Sequence, residues 1–238
     1  YPNSFWALMN NLPLVTVIIP VYNYANYIAA TLDSVFAQTY RPIEVIVVDD
    51  GSTDNSAEIV RGYPEVQYFY QSNQGVSVAR NVAIAAAKGE FIAFLDADDL
   101  WKPDKLSLQI AYMLENPHIG ITGTKAINFL ESDTQLPPWL RDDPSWEEVT
   151  VIIPSTMVVH KSVFSQVGDF SVDYPVSQDT EWLWRAKDAK IPMFNINEIL
   201  TLRRFHGSNL SWLMAGSYKS EMFKMIKESI ARQSRQSR

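Results

Sequence analysis

The apolar residues in the first half of the chain fall in short runs separated by amphipathic stretches. Leu14–Ile19, Ile43–Val48, Val66–Tyr70 and Phe91–Leu95 are rich in β-branched and aromatic residues, the pattern of strands covered on both faces. Between them, Ile28, Leu32, Val35 and Phe36 recur at helical spacing, with Asn26 placed to cap that helix. Ala57–Arg61 reads as helical, and Val76–Lys88 as an alanine-rich helix closed by Gly89 in the C′ position. Pro103 suits the first turn of a helix bearing Leu106, Ile110 and Leu114. Strand and helix alternate, which predicts an α/β fold with a mostly parallel sheet flanked by helices.

The second half is less regular. Ile119–Phe129 reads as a strand, and Glu131–Glu148, rich in Pro, Asp and Trp, as a long loop of the kind that forms lids. Val149–His160 is apolar again. Gln178–Lys190 is an amphipathic helix with Trp182, Leu183 and Ala186 on one side, and Ile199–Phe205 is a last strand. After Ser217 the chain is helical in propensity and ends in the polar run Arg232–Arg238. Neither a repeat nor a linker divides it. It reads as one domain in two unequal parts, 12–125 and 126–216, with a helical tail, 217–238.

Two acidic clusters, Asp49-Asp50-Gly51-Ser52-Thr53-Asp54 and Asp96-Ala97-Asp98-Asp99, follow the carboxyl ends of buried strands. Ligands of open α/β sheets bind outside those ends, so the clusters point to one shared site. Three carboxylates at the end of an apolar strand repel one another unless a cation is present, and hard oxygen ligands suit Mg²⁺ or Mn²⁺. An EF-hand is excluded, because position six counted from Asp96 is Trp101 and position twelve is Ser107. No G-x-x-x-x-G-K-[ST] or G-x-G-x-x-G run exists, so a glycine-rich phosphate loop is unsupported. On spacing alone Asp49 and Asp50 read equally well as helix caps, whereas Asp179 reads better as a first-turn acid favoured by the helix dipole and His206 as a surface residue.

The 238 residues carry 20 Lys and Arg against 27 Asp and Glu, a net charge of −7, which disfavours a nucleic acid partner. Cysteine is absent, so disulfides and thiolate chemistry are excluded. No apolar run reaches the roughly 18 residues of a membrane span. Tyr1–Asn11 lacks the pattern of a secretory signal, and Met9 just before the first strand makes residues 1–8 read as a remnant ahead of the native start. The expected location is cytoplasmic.

Together, Val17-Ile18-Ile19-Pro20-Val21-Tyr22-Asn23, Val47-Val48-Asp49-Asp50-Gly51-Ser52-Thr53-Asp54, Ala79-Arg80-Asn81 and Gly89-Glu90-Phe91-Ile92-Ala93-Phe94-Leu95-Asp96-Ala97-Asp98-Asp99 resemble the family 2 glycosyltransferases in order and spacing. The resemblance is dense from Leu14 to Leu106 and patchy beyond. It implies a GT-A fold, Rossmann-like, with a nucleotide-sugar-binding half (12–125) and a smaller mixed half (126–216) holding the acceptor and the catalytic base. Pro20, Tyr22, Asp49 or Asp50, and Arg80 would line the nucleotide pocket, with Asp96 near the ribose. Asp98, with His206, would hold the metal, and Asp179 would be the general base of an inverting, single-displacement transfer. Gln178 departs from the family's usual Glu, and Ala83 from its usual Gly. The implied partners are a nucleoside diphosphate sugar, UDP-linked by default, and a carbohydrate or lipid-linked acceptor. The alternatives are a non-catalytic relative that binds nucleotide sugar and a sugar-phosphate nucleotidylyltransferase. The latter is disfavoured because Pro20-Val21-Tyr22-Asn23-Tyr24 stands where a Gly- and Arg-rich loop would. Trp139, Trp146, Trp182 and Trp184 are candidates for stacking on an acceptor sugar, with core packing expected for at least two. Lys219, Lys224, Lys227, Arg232, Arg235 and Arg238 make a peripheral membrane contact of the tail conceivable, at the inner face of the membrane.

Overall fold

The computed structural model describes residues 12–132, 134–136, 146–207, 209 and 218–236. Residues 1–8, Trp139 and most of the expected lid lie outside them, as do the side chains of Arg235 and Arg238. The first four strands, β1 (Val15–Val21), β2 (Ile43–Asp49), β3 (Val66–Tyr70) and β4 (Phe91–Phe94), pair in parallel in the order β3-β2-β1-β4. Helices α1 (Ile28–Phe36), α2 (Ser56–Arg61) and α3 (Val76–Ala86) connect them in sequence. The strand order reverses between β1 and β4, which opens a crevice at their carboxyl ends.

Alternation along the strands explains the near-continuous apolar runs. Val15, Val17 and Ile19 of β1 pack with Val45 and Val47 against Leu32 and Val35 of α1. Ile18, Ile46 and Val48 face the opposite layer, with Ala79 and Ala83 of α3. A further helix, α4 (Lys105–Glu115), closes the first layer with Leu106, Ile110 and Met113. Leu114, expected on that stripe, is exposed, because a spacing of i+7 rather than i+8 keeps the contact.

The second half extends the same sheet with mixed pairing. β5 (Leu100–Trp101) follows the acidic loop, then come β6 (Ile121–Leu130), β7 (Glu148–Val149), β8 (Val158–His160) and β9 (Met193–Phe205). β8 joins β4 and β6 antiparallel, β9 runs parallel to β6, and β5 pairs antiparallel with the far end of β9. β9 begins six residues before the Ile199 expected from sequence. Asn195, Asn197 and Glu198 hide its first half from an apolar search, and the β6–β9 register shifts around Lys125. Helices α5 (Ser162–Val167), α6 (Gln178–Asp188) and α7 (Tyr218–Gln236) complete the described elements. Trp182 of α6 is fully buried against Phe164 and Phe170 and donates to the Gly168 carbonyl at 2.8 Å, so it is a core residue. Trp146 packs edge-on against Phe205, and Trp184 is half-buried.

Two local expectations are corrected. Asn26 is exposed and is not the cap; the N-cap of α1 is Tyr27, which makes no side-chain cap bond. Gly89 is not the C′ residue of α3, which ends at Ala86 with an extended Ala87. Gly89 is needed for close approach instead. A Cβ there would lie 2.6 Å from the Thr16 backbone nitrogen and 2.8 Å from the Leu14 carbonyl oxygen. The Gly89 N–H donates to Thr16 Oγ1 at 2.9 Å, and Thr16 donates to the buried Glu44 at 2.6 Å. Gly89→Ala is expected to cost about 1–3 kcal/mol through overpacking. That corresponds to a fall of roughly 2–12 °C in the calorimetric midpoint for a chain of this length. An unchanged midpoint would show that this backbone contact can open freely.

Candidate active site

The acidic loop is built between two strands. Asp96 follows the end of β4, and β5 begins at Leu100. Thr31 of α1 donates to the carbonyls of both Ala97 (2.9 Å) and Asp99 (3.0 Å), fixing the loop's backbone from beneath. The pairing Leu100↔Leu202, continued back before the start of β5, sets the loop beside the last residues of β9. Hence Arg204 N–H donates to Asp99 Oδ1 at 2.9 Å, and Arg204 Nε to the Asp98 carbonyl at 3.0 Å. His206, just past β9, then reaches Asp98: Nε2 and Oδ2 are 3.0 Å apart. Asn209 donates to the same oxygen at 3.0 Å. The His206 ring stacks on Tyr27 at 4.7 Å and makes a T-shaped contact with Tyr24 at 5.7 Å.

The loops after β1 and β2 are tied to each other. Asn23, in the left-handed region at φ 58°, accepts from Thr53 N–H at 2.7 Å and receives Ser52 Oγ on its own N–H at 3.0 Å. Asparagine tolerates that conformation better than most residues. Gly51, at φ 84°, is required, since a Cβ would lie 2.8 Å from the Asn73 nitrogen. Asp49 accepts from Ser52 N–H and from the Tyr68 hydroxyl, both at 2.7 Å. Asp50 accepts from Gln71 (2.7 Å) and from the backbone N–H groups of Gln74 and Gly75 (2.8 Å each). Asp50 therefore caps α3 from outside the helix, where a carboxylate is favoured by the unpaired N–H groups and the dipole. Both aspartates hold the loops together, and their remaining lone pairs are what a nucleotide could use. Pro20 is buried in β1 opposite Val48, whereas Tyr22 is exposed at the crevice edge.

Arg80 lies one turn into α3 and is buried. Its Nη2 donates to Asp96 at 2.7 Å. With the Gln178 amide oriented to satisfy its neighbours, that oxygen accepts from Arg80 Nη1 at 3.0 Å, while the nitrogen donates to the carbonyls of Tyr174 and Val176. Arg80 Nε has no partner among the described residues. Asp179, next to Gln178 at the start of α6, feels the same guanidinium. Burial pushes its carboxyl above the usual range, against the pull of Arg80. Asp99 is shifted further, well above the ordinary value, by burial and then by Asp98 and Asp96; Arg203 and the Ser155 hydroxyl pull the other way. Burial and these three aspartates also raise Tyr24.

The sequence-derived residues thus form three connected groups: Asp49 and Asp50 at the loops, Arg80 with Asp96 and Asp179, and Asp98 with His206. Tyr24, Tyr27, Thr31, Ser155, Arg204 and Asn209 also shape the site and carry no sequence motif of their own. Among the described residues no three His, Cys, Asp or Glu side chains cluster as a complete metal cage. The Asp98–His206 pair still fits a cation of the Mg²⁺ or Mn²⁺ type, which is commonly held by one or two carboxylates and completed by substrate phosphates.

The profile of glycosyl transferase family 2 matches residues 16–168, well over half of the chain. The chain belongs to glycosyl transferase family 2. A Rickettsia felis protein described as an uncharacterized glycosyltransferase is 32% identical over 216 residues, 82% of this chain and 34% of that protein. The chain spans less than two thirds of the curated relatives it matches most strongly. The GT-A fold is shared with solved structures. Staphylococcus aureus TarS 1–349 in complex with UDP-GlcNAc superposes with a TM-score of 0.68 at 22% identity, covering 82% of this chain and 59% of that one. The mannosyltransferase PcManGT from Pyrobaculum calidifontis, in complex with GDP-Man and Mn²⁺, superposes with a TM-score of 0.68 at 21% identity, covering 84% and 59%.

The raised Asp99 carboxyl gives a stability prediction. Folding favours its protonated form, so its contribution is complete below the ordinary carboxylate value near 4 and is lost as pH rises through the higher folded value. Asp99→Asn keeps an acceptor for Arg204 N–H and removes the crowded charge. The variant is expected to melt higher than the parent at pH 7–8, with the gap closing as pH falls toward about 4. A gap independent of pH would show that charge crowding is not the cause.

Proposed function

We propose that the chain moves a sugar from a nucleoside diphosphate sugar to an acceptor hydroxyl by single displacement with inversion at the anomeric carbon. The observation that carries this reading is the buried Arg80, bonded to Asp96 and set beside Asp179 at the carboxyl edge of the sheet. Asp179 takes the proton of the attacking hydroxyl, and its raised affinity for a proton suits a general base. Arg80 adds positive charge where a diphosphate leaves, and it keeps Asp96 oriented toward the nucleotide side. Asp98 and His206 would hold Mn²⁺ or Mg²⁺, which supplies charge stabilisation to the leaving diphosphate. Asp49, Asp50, Pro20 and Tyr22 shape the nucleotide end, and 126–216 supplies the acceptor side. A UDP-linked donor is the first choice, supported by the UDP-GlcNAc complex of TarS; the PcManGT complex supports a divalent cation.

Asp179→Asn is expected to leave UDP affinity intact and to lower the transfer rate about 10²–10⁴-fold. Near-normal turnover in that variant removes Asp179 from the role. For the cation, titration calorimetry of UDP with and without Mn²⁺ is decisive. The parent is expected to bind more tightly with Mn²⁺, and Asp98→Ala to lose that gain. Equal affinity of the parent in Mn²⁺ and in EDTA would contradict a bridging metal. A thermal-shift comparison of UDP, GDP, CDP and dTDP identifies the base, since the ligand that binds the folded chain raises its midpoint most.

A further inference from the structure

Helix α7 packs on α6 with its two ends anchored. Near its start, Glu221 accepts from the N–H of Ser177, the residue before α6, at 2.9 Å. Near its end, Ser229, Arg232 and Gln233 donate to Asp188, the last residue of α6, at 2.9, 2.7 and 3.0 Å. The two helices therefore run in the same direction, and the start of α7 lies beside the start of α6, where Asp179 sits. Met225 is fully buried in the contact.

The charges of α7 are sorted by face. Both carboxylates, Glu221 and Glu228, lie on the side turned to α6, and Arg232 is drawn inward by Asp188 and Glu228. Lys224 lies over the Tyr174 ring at 4.3 Å. On the opposite side, Phe223 (68% exposed), Ile230 (63%) and Ile226 (38%) form a stripe at helical spacing, flanked by exposed Lys219 and Lys227. That outer face carries large apolar side chains and cations, with no carboxylate among the described residues of the helix.

We propose that the outer face of α7 docks on the surface of an anionic lipid bilayer, with Phe223, Ile226 and Ile230 in the headgroup–acyl boundary and Lys219 and Lys227 against lipid phosphates. Apolar residues flanked by lysine, on a helix lying flat, are what an interfacial helix requires. The charge sign favours lipid: on a chain of net charge −7, the exposed apolar stripe of this helix is flanked by Lys219 and Lys227. A helix of 19 residues, about 28 Å long at 1.5 Å per residue, would lie along the membrane plane. No described helix is long and apolar enough to cross a membrane. Docking would also bring the start of α6 close to the bilayer, where a lipid-carried acceptor is presented; that consequence rests on the transferase reading, whereas docking itself does not.

The test is cosedimentation of the chain with vesicles of phosphatidylglycerol and phosphatidylcholine, against phosphatidylcholine alone. Binding is expected to the anionic vesicles and to be roughly tenfold or more weaker on the neutral ones or at high salt. The double variants Phe223→Ser/Ile230→Ser and Lys219→Glu/Lys227→Glu are each expected to abolish it, with unchanged circular dichroism and unchanged UDP binding. Absence of binding to anionic vesicles, or undiminished binding by either variant, overturns the proposal. So does a concentration-dependent dimer that the apolar variant dissolves in sedimentation velocity, which would make a second copy the occupant. Failure of UDP binding in the parent would count against sugar transfer and leave the docking result intact.

Discussion

Carboxylates placed side by side at the end of a buried strand repel one another, and burial pushes the carboxyls of Asp99 and Asp179 upward. In this chain Asp96, Asp98, Asp99 and Asp179 all converge near the crevice between β1 and β4. The group that makes this arrangement tolerable is the buried guanidinium of Arg80, which bonds Asp96 and lowers the cost of charge on Asp179. The guanidinium is 2% exposed and the Asp96 side chain 40%, so breaking the pair would leave the arginine as the uncompensated buried charge. The position of Arg80 is set in turn by Asp50, which caps the helix that carries it. A loop acid at one strand end thus fixes the cation that steadies the acids at another.

The second half of the sheet complements this arrangement. β9 delivers Arg204, His206 and Asn209 to the acidic loop through its pairing with the two-residue β5. Each of these residues engages Asp98 or Asp99 by a different chemistry: backbone N–H, ring nitrogen and amide. Tyr27 stacks on the histidine and Tyr24 meets it in a T-shaped contact, which restricts its ring plane. Such preorganisation matters because a ligand-holding group that is already oriented loses little freedom when it engages its ligand.

The parallel core was legible in the sequence because strands covered on both faces leave unbroken β-branched runs, and because the acids stand directly after them. Family motifs pointed to Arg80, Asp98, Asp179 and His206, and the structure shows where these lie relative to one another; their roles rest on the experiments above. What was not legible depends on contacts between distant segments. Arg204 and Asn209 matter through the β5–β9 register, which no local pattern encodes. Gly89 looks like a helix terminator by its position, yet its reason lies across the sheet at Thr16. The start of β9 was missed because Asn195, Asn197 and Glu198 interrupt its apolar signal. Leu114 was placed inside by counting turns, whereas Met113 takes that place in the core.

The bracketing of the acidic loop has a consequence for how this chain can vary. Its near end is anchored in the middle of the sheet, its far end in a strand on the other side of β9, and the hydroxyl of Thr31 grips its backbone in between. One residue added or lost between Phe94 and Leu100 must be absorbed by the loop or by a one-residue slip of β5 against β9, which would turn the two side chains of β5 to the opposite face. Length, rather than composition alone, is the property that holds this loop to its task.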